Sequence, residues 1–94
     1  MTNKSKISKH DVDKLFEIIL GLKGIDDCYK FFEDICTINE IHALAERLKV
    51  ARMLWEGKTY TEIEKETKAS TTTISRISKC LESKDSGYRR VLGK

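Results

Sequence analysis

Thr59 and Glu62 stand three residues apart at the head of TYTEIEKETKASTTTISRISKCL, residues 59–81. That is the spacing of a capping box. A threonine oxygen accepts from a backbone N–H near the helix start while the glutamate reaches back to the cap, and this reciprocal pairing starts a helix at about Tyr60. Its one strongly apolar interior residue is Ile63, and helical pattern is lost at Thr67, Lys68 and Ala69, where a turn is expected. Ser70 then caps a second helix. In it Ile74, Ile77 and Leu81 recur at spacings of three and four, which predicts one buried stripe. The opposite stripe is Thr72, Ser75, Arg76 and Lys79, with Thr71 at the exposed N-terminal end: hydroxyls and two cations, without a carboxylate.

Two short helices around a tight turn, the second with such a face, form the helix-turn-helix arrangement, whose second helix enters the major groove. Hydroxyls can bond phosphates or base edges, and arginine can pair bidentately with guanine. A polar face alone is commonly just a solvated face, so the whole spacing carries the reading. Two departures qualify it. Glu64 sits where many such motifs place alanine at the helix crossing, and Lys68 stands at a turn position often held by glycine. The crossing must therefore be open enough for charged side chains to escape.

Ninety-four residues are expected to form a single domain over residues 8–94, preceded by a polar, basic arm over residues 1–7. A core this small is thin, and oligomerisation is a natural remedy. Proline is absent and charges are frequent, which favours an all-α chain without long rigid loops. The net charge of +3 is uneven: residues 68–94 hold seven Lys/Arg against two Asp/Glu, a net of +5, leaving −2 to residues 1–67. Positive charge gathers at the reading helix, as attraction to phosphates requires. Glu62, Glu64 and Glu66 make the preceding helix acidic, so binding is expected to rest on local contacts.

No apolar run approaches the roughly 20 residues that span a bilayer, and MTNKSKISKH lacks the apolar segment of a signal peptide. A cytoplasmic protein with no membrane partner is expected. Cys28, Cys36 and Cys80 show no C-x-x-C spacing and read as buried free thiols, neither a disulfide framework nor a zinc site. His10 and His42 are too isolated to alter this, so no metal and no cofactor is implied. An enzyme is the class least supported, because no phosphate loop, suitable carboxylate pair or nucleophilic set can be placed.

Along the chain, a helix begins after Ser8 with Asp11 in its first turn, and Val12, Leu15, Phe16, Ile19 and Leu20 mark a buried stripe. Gly21 and Gly24 end it. A second helix over about 26–35 is expected to bury Cys28, Phe31 or Phe32, and Ile35, with Asp26 and Asp27 favouring its N-terminus. Thr37 and Glu40 have capping-box spacing and open the longest helix, about 38–56. Ile41, Leu44, Ala45, Leu48, Ala51 and Trp55 lie on one of its sides, with Val50, Met53 and Leu54 elsewhere. Gly57 supplies a left-handed stop. After the polar turn ESKDSG, a short tail with Tyr88, Val91 and Leu92 on one side is expected to dock on the core or on another subunit. Six helices result. The wide apolar faces of the first three point to a homodimer, whose paired reading helices would meet half-sites about one DNA turn apart.

INEIHALAERLKVARMLWEGKTYTEIEKETKASTTTISRISKCL resembles the Trp repressor superfamily, and CYKFFEDICTINEI with the terminal SGYRRVL is similar to its YerC/YecD branch in particular. The likeness covers roughly residues 12–92, with 28–92 the specific part. It implies an intertwined six-helix dimer that binds palindromic operators in double-stranded DNA and regulates transcription, with repression the expected sign. It also implies DNA contacts at Thr71, Thr72, Thr73, Ser75 and Arg76 in a reading head over about 60–81. In the Trp repressor two arginines sandwich the indole of the corepressor, and the matching positions here are Arg47 and Arg76. Tryptophan-binding members have glycine after the second arginine, whereas this chain has Ile77, whose branched side chain fills the slot. L-tryptophan is therefore not expected as effector, and Arg47 could equally serve an ion pair with Glu40 or Glu46. The rival reading is a protein-interaction module that uses the helix-turn-helix as scaffold.

Overall fold

The computed structural model describes residues 8–93, and the expected arm over residues 1–7 lies outside them. Six α-helices and no strand occur among the described residues: α1 (Lys9–Leu20), α2 (Ile25–Ile35), α3 (Ile38–Trp55), α4 (Tyr60–Glu66), α5 (Thr71–Glu82) and α6 (Gly87–Leu92). The chain divides between Thr37 and Ile38 into two compact units.

In the first unit the local signals act as expected. Ser8 Oγ accepts from the Asp11 N–H at 3.3 Å and starts α1. Gly21 caps its C-terminus, and Lys23 N–H donates to the Asp27 carboxylate at 3.1 Å ahead of the acidic first turn of α2. Burial differs from expectation. Val12, Leu15, Ile19, Cys28, Phe31 and Phe32 are half-buried, while Phe16, Ile35 and, at 84% exposure, Leu20 stand in solvent. The three-and-four periodicity specifies a face that gains by being covered; it does not say that the same chain covers it. Cys28 and Cys36 are likewise half-buried and Cys80 is exposed, so the expectation of three buried thiols is corrected.

The second unit carries the core. Val50, Ala51 and Met53 of α3, Ile63 of α4, Ala69 of the turn and Ile74, Ile77 and Leu81 of α5 are buried, with Leu54, Tyr88 and Leu92 packed against them. Helix α3 thus turns inward the side that looked secondary in the sequence. Of the longer apolar side only Ala51 is buried, while Leu44, Leu48 and Trp55 remain exposed. The reason is geometric: α4, α5 and α6 all pack on α3, and they meet positions 50, 51, 53 and 54, near its C-terminal end.

Gly57 leaves α3 at φ 88°, a conformation that side chains with a Cβ rarely adopt. Its own N–H donates to Leu54 O and the Lys58 N–H to Met53 O, each at 3.0 Å, which satisfies carbonyls of the helix end. The tail docks on its own unit. Ser86 caps α6 by accepting from the Arg89 N–H at 3.0 Å, Tyr88 and Leu92 face the core, and Val91 points away.

Candidate nucleic-acid interface

Local hydrogen bonds hold α4, the turn and α5 in place. Thr59 Oγ1 accepts from Glu62 N–H at 3.1 Å while the Glu62 carboxylate accepts from Thr59 N–H at 2.8 Å, so the capping box is complete. The Thr59 backbone bond holds the Glu62 carboxyl below its ordinary value; desolvation opposes this, and the Thr59 hydroxyl and the Lys58 charge assist it. At the far end of α4, Thr67 Oγ1 donates to Ile63 O at 2.9 Å and accepts from Ala69 N–H at 3.2 Å. This threonine closes the turn with no left-handed residue, since no non-glycine residue among those described has positive φ. Lys68 therefore occupies the turn without strain, and its N–H donates to the Glu46 carboxylate of α3 at 3.1 Å. Ser70 Oγ then accepts from Thr73 N–H at 3.2 Å and starts α5.

Helix α5 is pinned from beneath. Ile74 is fully buried, as is Ile63 of α4, and Ile77 and Leu81 continue the same stripe. Thr71, Thr72, Ser75, Arg76 and Lys79 are exposed on the other sides, and 72, 75, 76 and 79 follow helical spacing, so they form one outward stripe. Thr73 differs. It is half-buried, its Oγ1 lies 3.2 Å from Ser70 Oγ, and it lines a cleft.

That cleft, of about 280 Å³, is lined by Arg47 of α3, by Thr73, Arg76, Ile77 and Cys80 of α5, and by Tyr88 of α6. The two arginines singled out by resemblance thus border one space. Ile77, 5% exposed, belongs to the core and lines the same cleft. Glu46, offered as an ion-pair partner of Arg47, instead receives the Lys68 N–H. Tyr88 was legible only as a docking residue, because nothing in its neighbourhood along the chain tells which space the tail will border.

Glu64, anticipated as a charge escaping from the helix crossing, does more. It is exposed, and Thr71 Oγ1 donates to its Oε2 at 2.6 Å. The bond links α4 to the first residue of α5 across seven positions. Sequence spacing carries no signal for it, since the two residues sit on different helices.

No group of His, Cys, Asp and Glu that could hold a metal occurs among the described residues. None of their helices is long and apolar enough to cross a membrane.

An outward, hydroxyl-rich and cationic second helix, held by a capped first helix on a longer supporting one, defines a helix-turn-helix protein. The profile of the Trp repressor protein family matches residues 10–94, and the chain belongs to that family of DNA-binding helix-turn-helix regulators. It is 54% identical over 87 residues to the uncharacterized protein YerC of Bacillus subtilis (strain 168), covering 93% of this chain and 84% of YerC. The crystal structure of a TrpR-like protein from Eubacterium eligens superposes with a TM-score of 0.87 at 48% identity, covering 95% of this chain and 92% of that one. A proposed Trp repressor from Staphylococcus aureus gives 0.86 at 44% identity, covering 95% and 89%.

Proposed function

We propose that this protein is a homodimeric, sequence-specific transcriptional regulator, acting as a repressor, that does not take L-tryptophan as its effector. The observation that carries the reading is the division of α5: Ile74, Ile77 and Leu81 are buried while Thr72, Ser75, Arg76 and Lys79 face outward. A helix held that firmly can present side chains to a groove in one register. Thr71, Thr72, Ser75, Arg76 and Lys79, with Thr73 from its half-buried position, are the proposed DNA contacts. A cytoplasmic location fits a DNA partner.

Exposed apolar side chains support the homodimer. Phe16, Leu20, Ile35, Ile38, Leu44 and Leu48 lie in solvent on α1, α2 and α3, and a chain of this size gains from covering them with a second copy. Twofold symmetry then pairs the reading helices. Sedimentation velocity at micromolar concentration should give twice the chain mass.

The absence of a tryptophan response follows from Ile77, which lines the cleft shared by Arg47 and Arg76 where tryptophan-binding members have glycine. Titration calorimetry with L-tryptophan should give no saturable heat. Stoichiometric binding in the micromolar range would refute this part.

Selection from fragmented genomic DNA, followed by anisotropy titrations across salt concentrations, tests the whole. A defined palindromic site with a moderate salt slope is expected, and Arg76→Ala should weaken it by roughly 1–3 kcal/mol. Weak, site-independent binding alone would reduce the helix-turn-helix to a scaffold for a protein partner.

A further inference from the structure

The first residue of the reading helix has already spent its only proton. A threonine hydroxyl has one hydrogen to donate and two lone pairs, and Thr71 Oγ1 donates to Glu64 Oε2 at 2.6 Å, a short contact of the charge-assisted kind. A carboxylate only accepts. The exposed pair therefore offers lone pairs and no hydrogen. Phosphate oxygens, guanine N7 and O6 and thymine O4 are themselves acceptors, so these two side chains have no hydrogen to offer them and the carboxylate repels them. Two major-groove groups can approach it: the amino groups of cytosine and adenine. Adenine sets its N7 acceptor beside its amino group, where it faces the carboxylate, whereas cytosine carries no acceptor on that edge. The N-terminal residues of a recognition helix are the ones that come closest to base edges.

We infer that Glu64 and Thr71 together select cytosine, through its exocyclic amino group, at one position in each half-site of the operator. Glu64 receives the amino hydrogen, and Thr71 anchors the carboxylate by its hydroxyl while leaving its own lone pairs to the groove. The pair also explains how an acidic residue can sit at a DNA-facing helix crossing: its cost in phosphate repulsion falls on non-specific complexes, and the cytosine contact offsets it only at the correct site. Arg76 and Lys79, which donate only, read other positions or the backbone.

This inference rests on the DNA-binding reading, and binding-site selection with the full chain separates the two. Wild type, Glu64→Ala, Glu64→Gln, Thr71→Val and Thr71→Ser should each be carried through selection, with circular dichroism confirming helicity. Wild type should favour cytosine about tenfold at one symmetric position. Glu64→Ala should make that position degenerate and leave the others unchanged, with tighter non-specific binding. Glu64→Gln, whose amide can donate, should move the preference toward adenine or guanine, and Thr71→Ser should keep cytosine where Thr71→Val weakens it. If wild type selects a site and Glu64→Ala selects the same bases with the same discrimination, the inference is overturned while DNA recognition stands. A uniform loss at every position would mark Glu64 as structural and overturn it as well. Failure of the wild type to select any site would remove both.

Discussion

The Arg89 guanidinium lies over the Trp55 ring, 5.7 Å from its centroid. From that position its Nε also donates to Leu81 O at 2.6 Å. One side chain of α6 thus holds the ends of α3 and α5 together, and it satisfies a carbonyl in the last turn of α5 that has no partner further along the helix. The shape of the group matters, because a guanidinium carries several donors in a fixed fork and so can keep its charge near the indole while Nε donates to a carbonyl.

Arg89→Ala should lower stability by about 2 kcal/mol, combining a charge-assisted hydrogen bond and a cation–π contact. Trp55 is the sole tryptophan, so urea denaturation followed by its emission reports the site directly. Arg89→Lys should fall between the two, since an ammonium keeps the charge and loses the fork. Equal midpoints for all three would show the staple to be energetically idle.

Ile74→Ala and Arg76→Ala, two residues apart, should separate folding from recognition. Ile74 is fully buried, and its truncation is expected to cost roughly 2–5 kcal/mol in denaturant melts. Arg76 is exposed, so its truncation should move stability by no more than about 0.5 kcal/mol while weakening DNA binding. A native midpoint for Ile74→Ala would contradict its place in the core.

The capping box makes stability depend on acid. Glu62 has a lowered pKa, chiefly through the Thr59 N–H, against an ordinary value of 4.5. A carboxylate whose folded pKa is depressed contributes fully above its unfolded pKa, and that contribution fades as pH falls through the folded value. Wild type should therefore exceed Glu62→Gln in stability at neutral pH, and the gap should close during acid titration below about pH 4.5. A gap that stays constant into acid would show that charge plays no part in the cap.

Gly57→Ala and Gly87→Ala form a matched pair. A Cβ added at either position meets nothing within 4 Å, but Gly57 alone of the two has positive φ, at 88°. The first substitution should cost about 1 kcal/mol or somewhat more from left-handed strain. The second, at the start of α6, should be neutral or stabilising by up to about 1 kcal/mol, through a less flexible unfolded chain. Thermal melts that ranked them the other way would contradict the backbone assignment.

Helix ends and the outward stripe of α5 were legible because their causes are local. Ser8, Thr59 with Glu62, Ser70 and Gly57 act within a few residues of themselves, and each occupies the expected position. Ile74, Ile77 and Leu81 were legible for a related reason: a helical period places them on one face whatever lies beneath. Burial of the longer apolar faces was not legible. Periodicity marks Phe16, Leu20, Leu44 and Leu48 as side chains that gain by leaving water, and in the single chain they remain exposed.

By itself, then, the amino-acid order determined where helices begin and stop, which family the chain resembles and which stripe of α5 turns outward, since these depend on hydrogen bonds and spacings a few residues long. Tertiary structure alone decided which side of α3 faces the core, that Arg47, Arg76, Ile77 and Tyr88 border one cleft, and that Thr71 gives its proton to Glu64. Those outcomes depend on how separate helices cross, and a crossing is set by the whole set of packed side chains at once.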